Sequence, residues 1–216
     1  MTLEKHVLKA IKDYKEGDLE SALMNACIAI EGTARNLYEK DKASRNDYKK
    51  CIRDYYWIIE PMLGGGLNQF ETLFTNLNID NESAGTIEKP DLADVVCHIF
   101  RCNLAHSKSV PLNYELLPSE NGRSRWEIGG DILKMPDRVI WALLAVSVFS
   151  KANSGIQTKG DYWLSWGSES LGLGTKKFVI KDWWGKEDDF RLFLSKKNPN
   201  PTKIEIEGLD NLRPAR

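Results

Sequence analysis

The run Arg101-Cys102-Asn103-Leu104-Ala105-His106 closes an apolar helical stretch with a permanent cation and an imidazole that titrates near neutrality. Such a pair can hold an anion and move a proton, provided the two side chains meet in space. The apolar stripe Leu92, Val96, Ile99 runs on, at steps of four and three, to Asn103 and His106. Two polar residues at the end of a core-facing stripe require hydrogen-bonding partners. In an unbroken α-helix, residues spaced like Arg101 and His106 diverge by roughly 140°. A working pair therefore needs a helix break near Ala105, or a second subunit that completes the site. The plainer reading is that both residues serve the unpaired carbonyls and the dipole of a helix C-terminus.

The elements that must position this run are mostly helical. Leu3, Val7, Leu8, Ile11 and Tyr14 predict a first helix that Gly17 ends. Asp18 caps a long second one through Leu23, Ala26, Ile30 and Ala34, ending near Lys40. Ser44 or Asn46 caps a third through Ile52, Tyr55, Tyr56 and Ile59, stopped by Pro61 and Gly64-Gly65-Gly66. A short helix around Phe70, Leu73 and Phe74 and a polar loop from Asn76 to Lys89 lead to the helix from Asp91 to about Ala105. Pro90 suits the first turn of that helix. The stretch from Asp137 to about Ala152 is apolar almost all round, so it should be a central buried helix.

Strand signals are weaker. Tyr114–Leu117 and Arg125–Ile128 flank the turn pair Asn121-Gly122 and predict a β-hairpin. Beyond Ser154-Gly155 tryptophans and glycines accumulate, and Phe178–Ile180, Phe190–Leu194 and Ile204–Ile206 look like short strands. The expected organisation is a helical domain over residues 1–152 and a β-rich C-terminal extension over residues 153–216.

An Arg and a His separated in this way, at the end of the penultimate long helix of a helical domain, resemble the motif of the HEPN superfamily (higher eukaryotes and prokaryotes nucleotide-binding). The string VVCHIFRCNLAHSKS is similar to the RNxxxH-type segment of that family, and DLESALMNACIAIEGTARNLYEK to its long second helix. The resemblance covers roughly Met1 to Ala152 and implies a mainly α fold. That fold is a HEPN-like antiparallel helical bundle, here with a small β-hairpin and a β-containing C-terminal extension. Many members are metal-independent endoribonucleases, some of them toxins or defence effectors, that work as dimers with two motifs facing across a cleft. Carried onto this chain, the resemblance makes His106 a general acid/base on the ribose 2′-hydroxyl or the leaving oxygen. Arg101 would hold the scissile phosphate, and Asn103 becomes a substrate contact. It implies RNA or a nucleotide as ligand, a homodimer, an antitoxin protein as partner, and no cofactor or metal. The slot after the Arg, where active members usually carry a polar residue, holds Cys102. The superfamily also contains non-catalytic nucleotide-, RNA- or protein-binding members, and that alternative stays open.

Composition narrows the field around this reading. Thirty basic residues against 31 acidic ones give no net-charge signature of a polyanion binder. The longest apolar run, Val139 to Phe149, is too short to span a bilayer, and the charged start lacks a secretory signal, so a cytoplasmic protein is expected. Cys27, Cys51, Cys97 and Cys102 show no CxxC pairing and are read as free thiols, mostly buried. Gly64-Gly65-Gly66 is not followed by the Lys-Ser/Thr of a phosphate loop. Glu31 could orient a site residue or simply pair with Arg35; His98 could join the site or pair with Asp94. Lys49-Lys50 and Lys176-Lys177 read as solvated surface. Trp183 and Trp184, near Lys181 and Lys186, read first as packing and second as a stacking surface for RNA bases.

Overall fold

The computed structural model describes residues 2–63, 72–74, 77–81, 85–105, 114–119, 125–129, 132–166 and 175–197. They form a mainly helical structure with three small sheets. Helix α1 (Leu3–Lys15) ends at Gly17, whose φ of +83° is the left-handed conformation that glycine adopts without steric cost. Asp18 caps α2 (Leu19–Leu37) by accepting the Ser21 backbone N–H at 3.0 Å. This helix stops short of Lys40, because Glu39 turns to a positive φ.

Ser44 and Asp47 form a reciprocal capping box on α3 (Arg45–Asp54). The long third helix expected from the sequence is two, broken at Tyr55, and α4 (Tyr56–Met62) runs through Pro61 rather than stopping before it. Pro61 sits in the last turn of an element so short that its missing N–H removes little. Thr72 to Phe74 are not helical, and Phe70 lies outside the described residues. The polar stretch that followed holds a hairpin instead of a plain loop, β1 (Asn78–Asn81) against β2 (Gly85–Glu88). Its period-two signal is short and polar, which hides it from a hydrophobicity reading.

The next helix is composite: α5 (Leu92–Val95), a π-helical turn (Val96–Arg101) and α6 (Cys102–Ala105). Its cap is Asp91, so Pro90 precedes the helix rather than opening it. Strand β3 (Tyr114–Leu117) does not pair directly with β4 (Glu127–Gly129). Both flank β5 (Ile132–Pro136), β3 in parallel and β4 antiparallel. The central strand was unread in the sequence because Pro136 and the adjoining helix signal masked it.

The central helix is α7 (Arg138–Phe149), buried at every position from Ile140 to Phe149 except Trp141. It packs against α2 and α4. Small residues of α2 (Ala22, Ala26, Ala29, Ala34) are fully buried, which brings the helix backbones close. Asn153, in the 3₁₀ turn after α7, is buried and fully engaged. Its amide donates to Ser147 O at 2.7 Å and Thr33 Oγ1 at 3.0 Å, and its oxygen accepts from Asn36 at 2.8 Å.

In the C-terminal part, β6 (Trp163–Trp166) pairs with β7 (Lys176–Val179), followed by α8 (Ile180–Trp183) and α9 (Glu187–Lys197). Phe190–Leu194 is therefore helix, not strand, and Ile204–Ile206 lies outside the described residues. The aromatic density that suggested strands is packing: Phe149 stacks on Phe190 at 3.8 Å between centroids and meets Phe178 and Trp183 edge-on. Buried Glu187 accepts from Tyr55 Oη at 2.8 Å and Lys151 N at 3.1 Å, fixing α9 to the end of α7. At Gly185 a Cβ would meet the Ser154 backbone at 2.6 Å, so only glycine permits this approach. No helix of the described residues is long and apolar enough to cross a membrane.

Candidate functional site

The composite helix is anchored at its start and irregular in its middle. Asp91 accepts the Asp94 N–H at 2.8 Å, while Arg53 reaches Asp91 at 2.6 Å and Asp94 at 3.1 Å. Lys49 adds a bond to Asp94 at 3.0 Å, so Lys49 belongs to a half-buried ion network rather than to open surface. Asp94, which the sequence offered to His98, is thus held by two cations. Leu92 to Cys97 are buried without interruption, which no single face of a helix can achieve. The segment is enclosed by α2, α3 and the β1–β2 hairpin.

From Val96 to Arg101 the helix widens into a π turn, a feature that often marks functional sites. The extra residue in the turn rotates all that follows relative to Leu92 and Val96. Among the described residues the irregularity spans Val96–Arg101, whereas the sequence argument offered a helix break near Ala105 or a second subunit. His106 lies outside the described residues.

Arg101 points between α2 and α3. Its Nη2 donates to Glu31 Oε2 at 2.5 Å, and its guanidinium carbon lies 5.1 Å from the centre of the Tyr48 ring. Glu31 therefore does position a candidate site residue. Burial is the largest single influence and opposes the Arg101 charge. The bond to Glu31, together with the Glu31 charge and the neighbouring Tyr48 and Cys97 groups, nevertheless holds the guanidinium above its ordinary range. Tyr48 is completely buried, and burial beside Cys27 raises its hydroxyl well above the usual phenol. Burial likewise pushes the Cys27 thiol up to about 11. Asn103, expected as a substrate contact, is half-buried and donates its amide to Ile99 O, one turn back, at 2.7 Å.

Cys102 is the reactive-looking member of the cysteine set. A hydrogen bond from the Cys97 thiol, aided by the charges of Arg101 and Arg45, favours its thiolate against the opposing effect of burial. Cys97 moves the other way, raised by that same pairing and by burial. His98 is lowered by burial and by the nearby Lys49 charge, so its neutral ring is favoured. The side-chain donor atoms of Cys97, His98 and Cys102 all lie within 4.8 Å of one another. The sequence reading missed this cluster, since the spacing matches no metal motif and the π turn that creates it leaves no clear sequence mark.

Fold and site together define a mainly helical protein with a charged, thiol-bearing cluster on an irregular helix. The sequence model of the Rv1289 family matches residues 2–209, and the chain belongs to that family. Relatives include the uncharacterized proteins Rv1289 of Mycobacterium tuberculosis and Mb1320 of Mycobacterium bovis. Each is 27% identical over 206 residues, covering 95% of this chain and 93% of the relative. No solved structure matches the chain.

Proposed function

We propose that this protein is a HEPN-like, metal-independent endoribonuclease that acts as a homodimer, with Arg101 on the scissile phosphate and His106 as general acid/base. His106 takes the proton of the ribose 2′-hydroxyl as that oxygen attacks the adjacent phosphorus. The 5′-oxygen leaves and is protonated, so the products carry a 2′,3′-cyclic phosphate and a 5′-hydroxyl. Arg101 neutralises the charge that builds on the phosphoryl oxygens. The observation that carries this reading is the fixing of Arg101: Glu31 and the Tyr48 ring hold a permanent cation at the end of a π turn, five residues before His106. Pre-set orientation of that kind is what electrostatic stabilisation of a transition state requires. A toxin or defence role, with an antitoxin protein as partner, is the biological setting this chemistry suggests.

Two details favour a second reading, a non-catalytic HEPN-like module that binds RNA, a nucleotide or a protein. Glu31 already occupies Arg101, and the position after it is Cys102. The two readings separate when binding and product chemistry are measured on the same RNA in EDTA. The ribonuclease reading expects binding together with cyclic-phosphate ends. Tight binding without new ends supports the second reading, and binding unaffected by Arg101→Ala removes the Arg101 site from both.

A further inference from the structure

We propose that Cys97, His98 and Cys102 form a binding site for a thiophilic metal ion of the zinc class, built by the π turn. In an α-helix, residues spaced like Cys97 and Cys102 point apart; in a π turn the hydrogen bond runs from residue i to i+5, which stacks the two positions. The turn spans Val96–Arg101; Cys97 is its second residue, Cys102 follows its end, and the Cys102 backbone N–H donates to Cys97 O. His98 stands beside Cys97, and all three donor atoms fall within 4.8 Å of one another. Zinc bonds of about 2.3 Å to sulfur and 2.0–2.1 Å to nitrogen place ligand atoms roughly 3.5–3.8 Å apart in a tetrahedron. The three donor atoms thus already lie near the spacing that a tetrahedral ion requires.

Donor chemistry selects the ion. Two sulfurs and an imidazole are soft or borderline ligands, which suit zinc and disfavour magnesium or calcium. Two thiolates neutralise the double charge of the ion, so it adds no net charge beside Arg101 and Lys49. Cys97 is buried, whereas His98 and Cys102 are half-buried, so the cluster is open on one side. Three protein ligands leave a fourth position for water or an external donor. A bound ion would clamp the π turn and so stiffen the element that carries Arg101. The ion takes no part in the RNA chemistry proposed above, and the site does not depend on that reading.

The test is cobalt titration of the reduced, metal-stripped full chain, followed by its thiolate-to-cobalt charge-transfer band and its visible tetrahedral bands. One equivalent of cobalt should saturate both, and one equivalent of zinc should abolish them. Cys102→Ser should remove the charge-transfer band from a protein whose circular dichroism is unchanged. His98→Ala should weaken binding by on the order of a hundredfold, and Cys51→Ser, outside the cluster, should leave binding intact. Cys97 is buried, so Cys102 rather than Cys97 is the deciding position. Absence of the band, or its persistence in Cys102→Ser, overturns the proposal. So does a mass two hydrogens short in the non-reduced chain that maps to a Cys97–Cys102 disulfide, since that would make the pair a redox couple instead.

Discussion

Helix α7 and the composite helix over residues 92–105 are both deeply set in the same core, yet they are built on opposite lines. The first is regular, apolar all round and carries no ionisable side chain between Val139 and Phe149. The second breaks its regular winding after four residues and buries or half-buries two cysteines, a histidine and an arginine. Regular winding serves α7 because its task is packing, and packing rewards continuous apolar contact. Polar groups in a core need fixed partners, and the wide turn supplies the directions in which Arg101 finds Glu31 and Cys102 finds Cys97. Apolar packing and buried ionisable groups are thus concentrated on different helices.

Mutations in the two regions should therefore have opposite signatures. The largest stability loss is expected for Phe149→Ala, which empties the stack on Phe190. It should cost about 3–5 kcal/mol in denaturant unfolding while leaving any RNA cleavage per folded molecule unchanged. Loss of cleavage without loss of fold would blur the distinction. Arg101→Ala should cost less, about 1–2 kcal/mol, because Glu31 keeps a side-chain exposure of 35% and can be rehydrated. A double-mutant cycle with Glu31→Gln should recover a coupling of similar size, and additive losses would mean the pair is not held as described.

The smallest effect concerns the surface. The Asp47 carboxyl is held down to about 2 by Lys40, with Ser44 adding the bonds of the α3 cap. A carboxyl depressed on folding stabilises the protein above its unfolded pKa, and that contribution fades as pH falls towards the folded value. The melting-temperature gap between the wild type and Asp47→Asn should accordingly narrow from about pH 5 to about pH 3. A gap that widened on acidification would reverse the sign assigned to this cap.

Much of the helical frame was legible in the sequence because it rests on local signals. Gly17, Asp18 and Ser44 punctuate helices where they stand, and the apolar run of α7 admits only a buried helix. What escaped depends on partners distant in the chain. Strand β5 exists through its pairing with β3 and β4, and Phe190 is helical because its ring meets Phe149. The site divides in the same way. Arg101 was visible as a charge at a helix end, and Glu31 only as one of two options until the fold brought them together. The π turn was invisible, since α-helical spacing assigned Asn103 to the stripe and separated Cys97 from Cys102.

The central claim is that Arg101 and His106 cut RNA without a metal, and single-turnover cleavage of a labelled RNA in EDTA addresses it most directly. Cleavage by the wild type should fall about 10²- to 10⁴-fold in His106→Ala, the range expected for loss of a general acid/base. Arg101→Ala should fall comparably while still showing a cooperative melt. Equal rates in the wild type and both variants, or no cleavage by any of them across varied RNA substrates, would contradict the account.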